Sequence, residues 1–108
     1  MSPPELPIAC LLDAAGLQVR QRELAALGRR SLISSERAPS GGAVLRFRDD
    51  DWTRAELERV VAAESECCPF LDLRLTNSEG LELRIEGPAD AAPVIADLVD
   101  AIAGEPAI

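Results

Sequence analysis

At Pro69 the hydrophobic period of the chain changes. Before it, Leu57, Val60, Val61, Glu64 and Cys68 recur at i, i+3, i+4, i+7 and i+11, one face of a helix. After it, Leu71-Asp72-Leu73-Arg74-Leu75-Thr76 alternates residue by residue. Leu81-Glu82-Leu83-Arg84-Ile85 repeats the alternation beyond the turn sequence Asn77-Ser78-Glu79-Gly80, which predicts a β-hairpin. Proline disfavours helical backbone at the residue before it, so the helix ends at or near Cys67 and Cys68 turns into extended backbone. A helix that feeds directly into a hairpin admits few folds. Its apolar side covers the apolar side of an antiparallel sheet.

The rest of the chain fits that frame. Asp13 is a plausible N-cap for a first helix whose apolar residues are Leu17, Leu24 and Leu27, with Gly28 placed as the residue that ends it. Residues 31–37 read as a short strand, and Ala38-Pro39-Ser40-Gly41-Gly42 reads as a turn. Residues 43–48 read as a second strand with Leu45 and Phe47 on its buried side. Asp49-Asp50-Asp51 caps the central helix, with Trp52 at its start and Thr53 and Glu56 as a capping box. A last helix carries Pro93 in its first turn, has Val94, Ile95, Leu98, Val99 and Ile102 as its apolar side, and closes at Gly104. The predicted order is α-β-β-α-β-β-α, an α+β fold with an antiparallel sheet of three to four strands packed against helices. No repeat or internal boundary interrupts it, so residues 1–108 form one domain, with the proline-rich residues 1–8 as a loose N-terminal segment.

Composition narrows the chemistry. The net charge is −8 and all eleven basic residues are arginine, without a basic cluster, which argues against binding nucleic acid or an anionic membrane. No run is long enough to span a bilayer, and the N-terminal residues lack the pattern of a secretory signal. Three cysteines without an export signal point to the cytoplasm. Histidine and tyrosine are absent, so imidazole acid–base chemistry and mixed Cys/His zinc sites are excluded. Thiols and carboxylates remain.

Cys67 and Cys68 are adjacent, and a disulfide across about 3.8 Å of Cα separation is strained, so the pair is expected as two free thiols. Free cysteines are often simply buried, and that reading stands beside a functional one. The helix C-terminus and the flanking Glu64 and Glu66 disfavour a thiolate, which argues against a redox pair of the thioredoxin kind. A soft ion escapes that objection because it displaces the proton itself. Cys10, ahead of the first helix, supplies a third thiol. Three thiols without imidazole suit mercury(II), arsenic(III) or copper(I) better than a structural zinc. Glu64 lies on the apolar face of the central helix, either as a proton donor or as the partner of an arginine such as Arg74.

Ala9-Cys10-Leu11, the following Leu/Arg-rich helix and Glu66-Cys67-Cys68-Pro69-Phe70-Leu71 together resemble a family of small actinobacterial Cys-Cys-Pro-Phe modules. These occur alone or joined to mercury-resistance-type (MerR-like) regulators. The resemblance implies a link to heavy-metal response and makes Cys10, Cys67 and Cys68 the candidate metal-binding residues. The chain leaves no room for a DNA-binding helix-turn-helix, so only the associated module is expected. The resulting expectation is a cytosolic domain that holds a soft metal or metalloid as sensor, buffer or carrier. Its partners would be the ion and a regulator protein or a second copy of the chain. Two alternatives stay open: a thiol/carboxylate enzyme that cleaves organomercurials, and an interaction module with buried cysteines.

Overall fold

A computed structural model of the chain describes residues 14–77 and 79–104. Three helices and four strands follow one another as expected: α1 (Ala14–Ser31), β1 (Leu32–Arg37), β2 (Ala43–Phe47), α2 (Asp51–Cys67), β3 (Asp72–Asn77), β4 (Leu81–Glu86) and α3 (Ala92–Ala103), the last preceded by a single 3-10 turn (Ala89–Ala91). The strands form one antiparallel sheet in the order β1-β2-β4-β3. The second hairpin therefore docks onto β2 through β4. That leaves β3 as the far edge, beside the end of α2.

Alternation in β2 and β4 gives the sheet two unlike faces. Leu45, Phe47, Leu81, Leu83 and Ile85 point inward and are buried, and Leu45 sits opposite Leu83. Arg46 and Arg84 point outward and are exposed. The inner face is covered by Leu24 and Leu27 of α1, Leu57 and Val60 of α2, and Ile95, Leu98, Val99 and Ile102 of α3. Burial of these aliphatic surfaces is the main force holding the layers together, at roughly 25 cal/mol per Å².

Two local readings of the sequence are corrected, the glycine stop of α1 and the capping box of α2. Gly28 does not end α1, which continues to Ser31. A Cβ at Gly28 would lie 1.5 Å from the carbonyl oxygen of Ile102, so glycine is there to let α1 and α3 approach. The capping residue of α2 is Asp50, which accepts a hydrogen bond from the Thr53 backbone N–H at 2.8 Å. Thr53 is not paired with Glu56 in a capping box. It is buried, and its hydroxyl meets that of Ser31 at 2.5 Å, fastening the end of α1 to the start of α2. Ile33 is two-thirds exposed, because a bulge between Leu32 and Ser34 turns it out of the sheet. The proposed N-cap Asp13 and the candidate ligand Cys10 lie outside the described residues.

Candidate functional site at the end of the central helix

The bend after α2 is built as the proline requires. α2 stops at Cys67, and Cys68 adopts φ −128° and ψ 74° while its N–H still donates to the Glu64 carbonyl at 2.7 Å. Leu71 N–H then donates to the Cys68 carbonyl at 3.0 Å, closing a turn with Pro69 at its second position. This turn swings the chain from helix to β3 in four residues.

Neighbouring side chains on a continuing helix diverge by about 100°. The changed backbone at Cys68 brings the two cysteines together. The Cys68 thiol donates toward the Cys67 sulfur with the Sγ atoms 3.8 Å apart, so the two are not bonded to each other. Both are buried, Cys68 completely, although adjacent residues at a helix end seldom both face a core. Cys68 is a free thiol. Cys67 is not the free thiol expected: it is held in a disulfide. Burial pushes the Cys68 thiol above its ordinary pKa, the Glu64 carboxylate adds to the rise, and Arg20 opposes it. At neutral pH it is protonated.

One turn before Cys68, Glu64 is buried. Its partner is Arg20 of α1, not Arg74: Arg20 Nε donates to Oε2, and Nη2 donates to Oε1 at 2.8 Å. Arg74 pairs with Asp72 on the exposed sheet face. The two-pronged bond to Glu64 raises the Arg20 pKa further, against the cost of burial. Both oxygens of Glu64 are engaged by this fork, which holds the side chain against Arg20. Sequence spacing carried a signal for this pair. Arg20 falls at i+3 from Leu17 and i−4 from Leu24, on the apolar side of α1, as Glu64 does on α2. Two opposite charges on two inward faces call for each other.

Between α1 and α2 lies a cavity of about 550 Å³. Val19, Leu24, Val60 and Ala63 supply apolar walls, and Arg20, Glu23, Arg59, Glu64, Glu66 and Cys67 line the rest. The sequence offered no signal for this cleft, which arises from two helices 44 residues apart at their Arg20–Glu64 contact. Among the described residues no group of three His, Cys, Asp or Glu side chains is arranged to hold a metal ion. No described helix is long and apolar enough to cross a membrane. No family model, curated protein or solved structure matches the chain.

Proposed function

We propose that the chain holds a soft, thiophilic ion between Cys67 and Cys68 once the Cys67 disulfide has been reduced. Mercury(II), arsenic(III) and copper(I) are the ions whose preference for sulfur fits. The observation that carries the reading is the 3.8 Å separation of the two sulfurs. Two thiolates sharing one ion at about 2.3 Å each stand on the order of 4 Å apart, so the pair needs little rearrangement. The buried, protonated Cys68 fits as well, because an entering ion supplies the charge that drives the proton off. Cys10 is the third ligand in this proposal. The module works in the cytosol as sensor, buffer or carrier, and a regulator protein or a second copy is the partner that would read its state. The fork from Arg20 favours this binding role over the organomercurial-cleaving alternative, which needs Glu64 to surrender a proton.

Calorimetry and intact-mass measurement on the reduced chain test the proposal. One equivalent of mercury(II) or arsenic(III) should bind per chain, release protons and raise the unfolding temperature. Cys68→Ser should lose tight binding, and Cys10→Ser should weaken arsenic more than mercury, which is content with two thiolates. Equal uptake by wild type and by a Cys67→Ser/Cys68→Ser double variant would overturn the reading.

A further inference from the structure

The cleft beside Cys67 gives this dithiol a neighbour that a bare ion does not need. Its walls at Val19, Leu24, Val60 and Ala63 are aliphatic, and its volume of about 550 Å³ is that of a small-molecule site. Two arginines and three glutamates line it, and all but the exposed Glu66 are ion-paired. Arg20 is taken up by Glu64, and Arg59 by Glu56 and Glu23. Such a cleft suits an apolar, uncharged group presented beside Cys67, the cysteine among its lining residues. We infer that the site selects a trivalent arsenic centre already bearing one apolar organic substituent, with Cys67 and Cys68 binding the arsenic and the substituent filling the cleft between α1 and α2.

This inference rests on the dithiol reading above and adds the ligand class. Monosubstituted arsenic(III) has one valence used by carbon and two left for Cys68 and the reduced Cys67, whose sulfurs stand 3.8 Å apart, so the substituent takes the place that Cys10 has on a bare ion. The chemistry balances without any redox change at arsenic. Its two As–O bonds break, two As–S bonds form, and each thiol proton leaves with a hydroxyl group as water. The dihydroxy reagent is neutral, and it reacts with protonated thiols to a neutral product, as a buried pair requires. Opening the Cys67 disulfide beforehand consumes one dithiol reductant, which leaves as its own cyclic disulfide. An organomercury cation fits less well, since it is satisfied by one thiolate and leaves Cys68 unused.

The experiment compares phenylarsine oxide, a methylarsenical and arsenite on the reduced, desalted chain, with a small free dithiol as reference for intrinsic affinity. Relative to that reference, the phenyl compound should be preferred over the methyl compound by about tenfold or more, from the extra apolar surface buried. Ala63 is exposed on the cleft wall, so Ala63→Trp should fill the space without disturbing the core and abolish the phenyl preference while leaving mercury(II) uptake intact. Val19→Trp, from the opposite helix, is the second variant should the first unfold on circular dichroism. A phenyl-to-methyl ratio equal to that of the free dithiol, or one unchanged by both tryptophans, would overturn the inference while leaving the dithiol reading standing. No uptake of any arsenical or of mercury(II) by the reduced wild type would sink both.

Discussion

The α-carbon of Gly28 faces the backbone of Ile102 so closely that a single added methyl would sit 1.5 Å from that residue's carbonyl oxygen. Intrinsic helix propensity favours alanine over glycine by about 1 kcal/mol, and α1 passes straight through this position. Packing reverses the sign. Gly28→Ala must push α1 off α3 along the full contact, and overpacking of this kind costs about 1–3 kcal/mol or more. Urea unfolding should show a lower midpoint, whereas an unaffected or raised midpoint would show that the helices can part freely.

Removing one side of the Arg20–Glu64 fork leaves a largely buried charge without its partner. Arg20→Met is expected to cost about 3 kcal/mol, because Glu64 is then buried without a partner. Adding Glu64→Leu to the same chain should recover most of the loss, since an apolar pair of similar volume needs no desolvated charge. A double variant as unstable as the single one would mean that the fork is needed for its geometry.

The hydroxyls of Ser31 and Thr53 behave in the same way on a smaller scale. Ser31→Ala strands the Thr53 hydroxyl in a buried position, at about 1–3 kcal/mol. Thr53→Val in that background should restore stability toward wild type, which chemical denaturation of the four chains can check.

Alkaline titration isolates Cys68 unusually well. The chain has no lysine and no tyrosine, so the cysteines are the side chains that titrate between neutral pH and the arginine range. The folded Cys68 pKa is raised, so the unfolded chain ionises first. Its contribution to stability is complete below the ordinary thiol range of about 8.5 and is lost as pH climbs through the folded value. Under non-reducing conditions the unfolding free energy should fall above that pH, and Cys68→Ala should flatten the fall. A wild type whose stability is flat to high pH would contradict the rise. Iodoacetamide should likewise alkylate Cys68 slowly in the folded chain at neutral pH and rapidly in urea.

The period change at Pro69 made the helix–hairpin unit legible, because a proline and two hydrophobic rhythms act on local backbone. The inward sides of β2, α2 and α3 were legible for the same reason. Gly28 misled because glycine has two uses, ending a helix and admitting a neighbour, and only the position of Ile102 decides between them. Glu64 and Arg20 were each visible as a charge on an apolar helix face, but only tertiary packing, which brings α1 against α2, shows that they meet. The joint burial of Cys67 and Cys68 was hidden in one dihedral change. Cys68 leaves the helix with φ −128°, well away from the helical value of about −63°, and this rotation sets its side chain relative to Cys67.

Trp52, the chain's single tryptophan, has the guanidinium carbon of Arg30 4.1 Å from its ring centroid. It stands at the first turn of α2, fifteen residues from Cys67, or about 22 Å along the helix. The molecule's one intrinsic fluorophore thus watches the junction of α1 with α2 and is remote from the sulfur end. Its emission reports whether the domain is assembled, while sulfur-to-metal charge-transfer absorption would report what the thiols hold. Occupancy and assembly can therefore be followed in one cuvette as two independent optical signals.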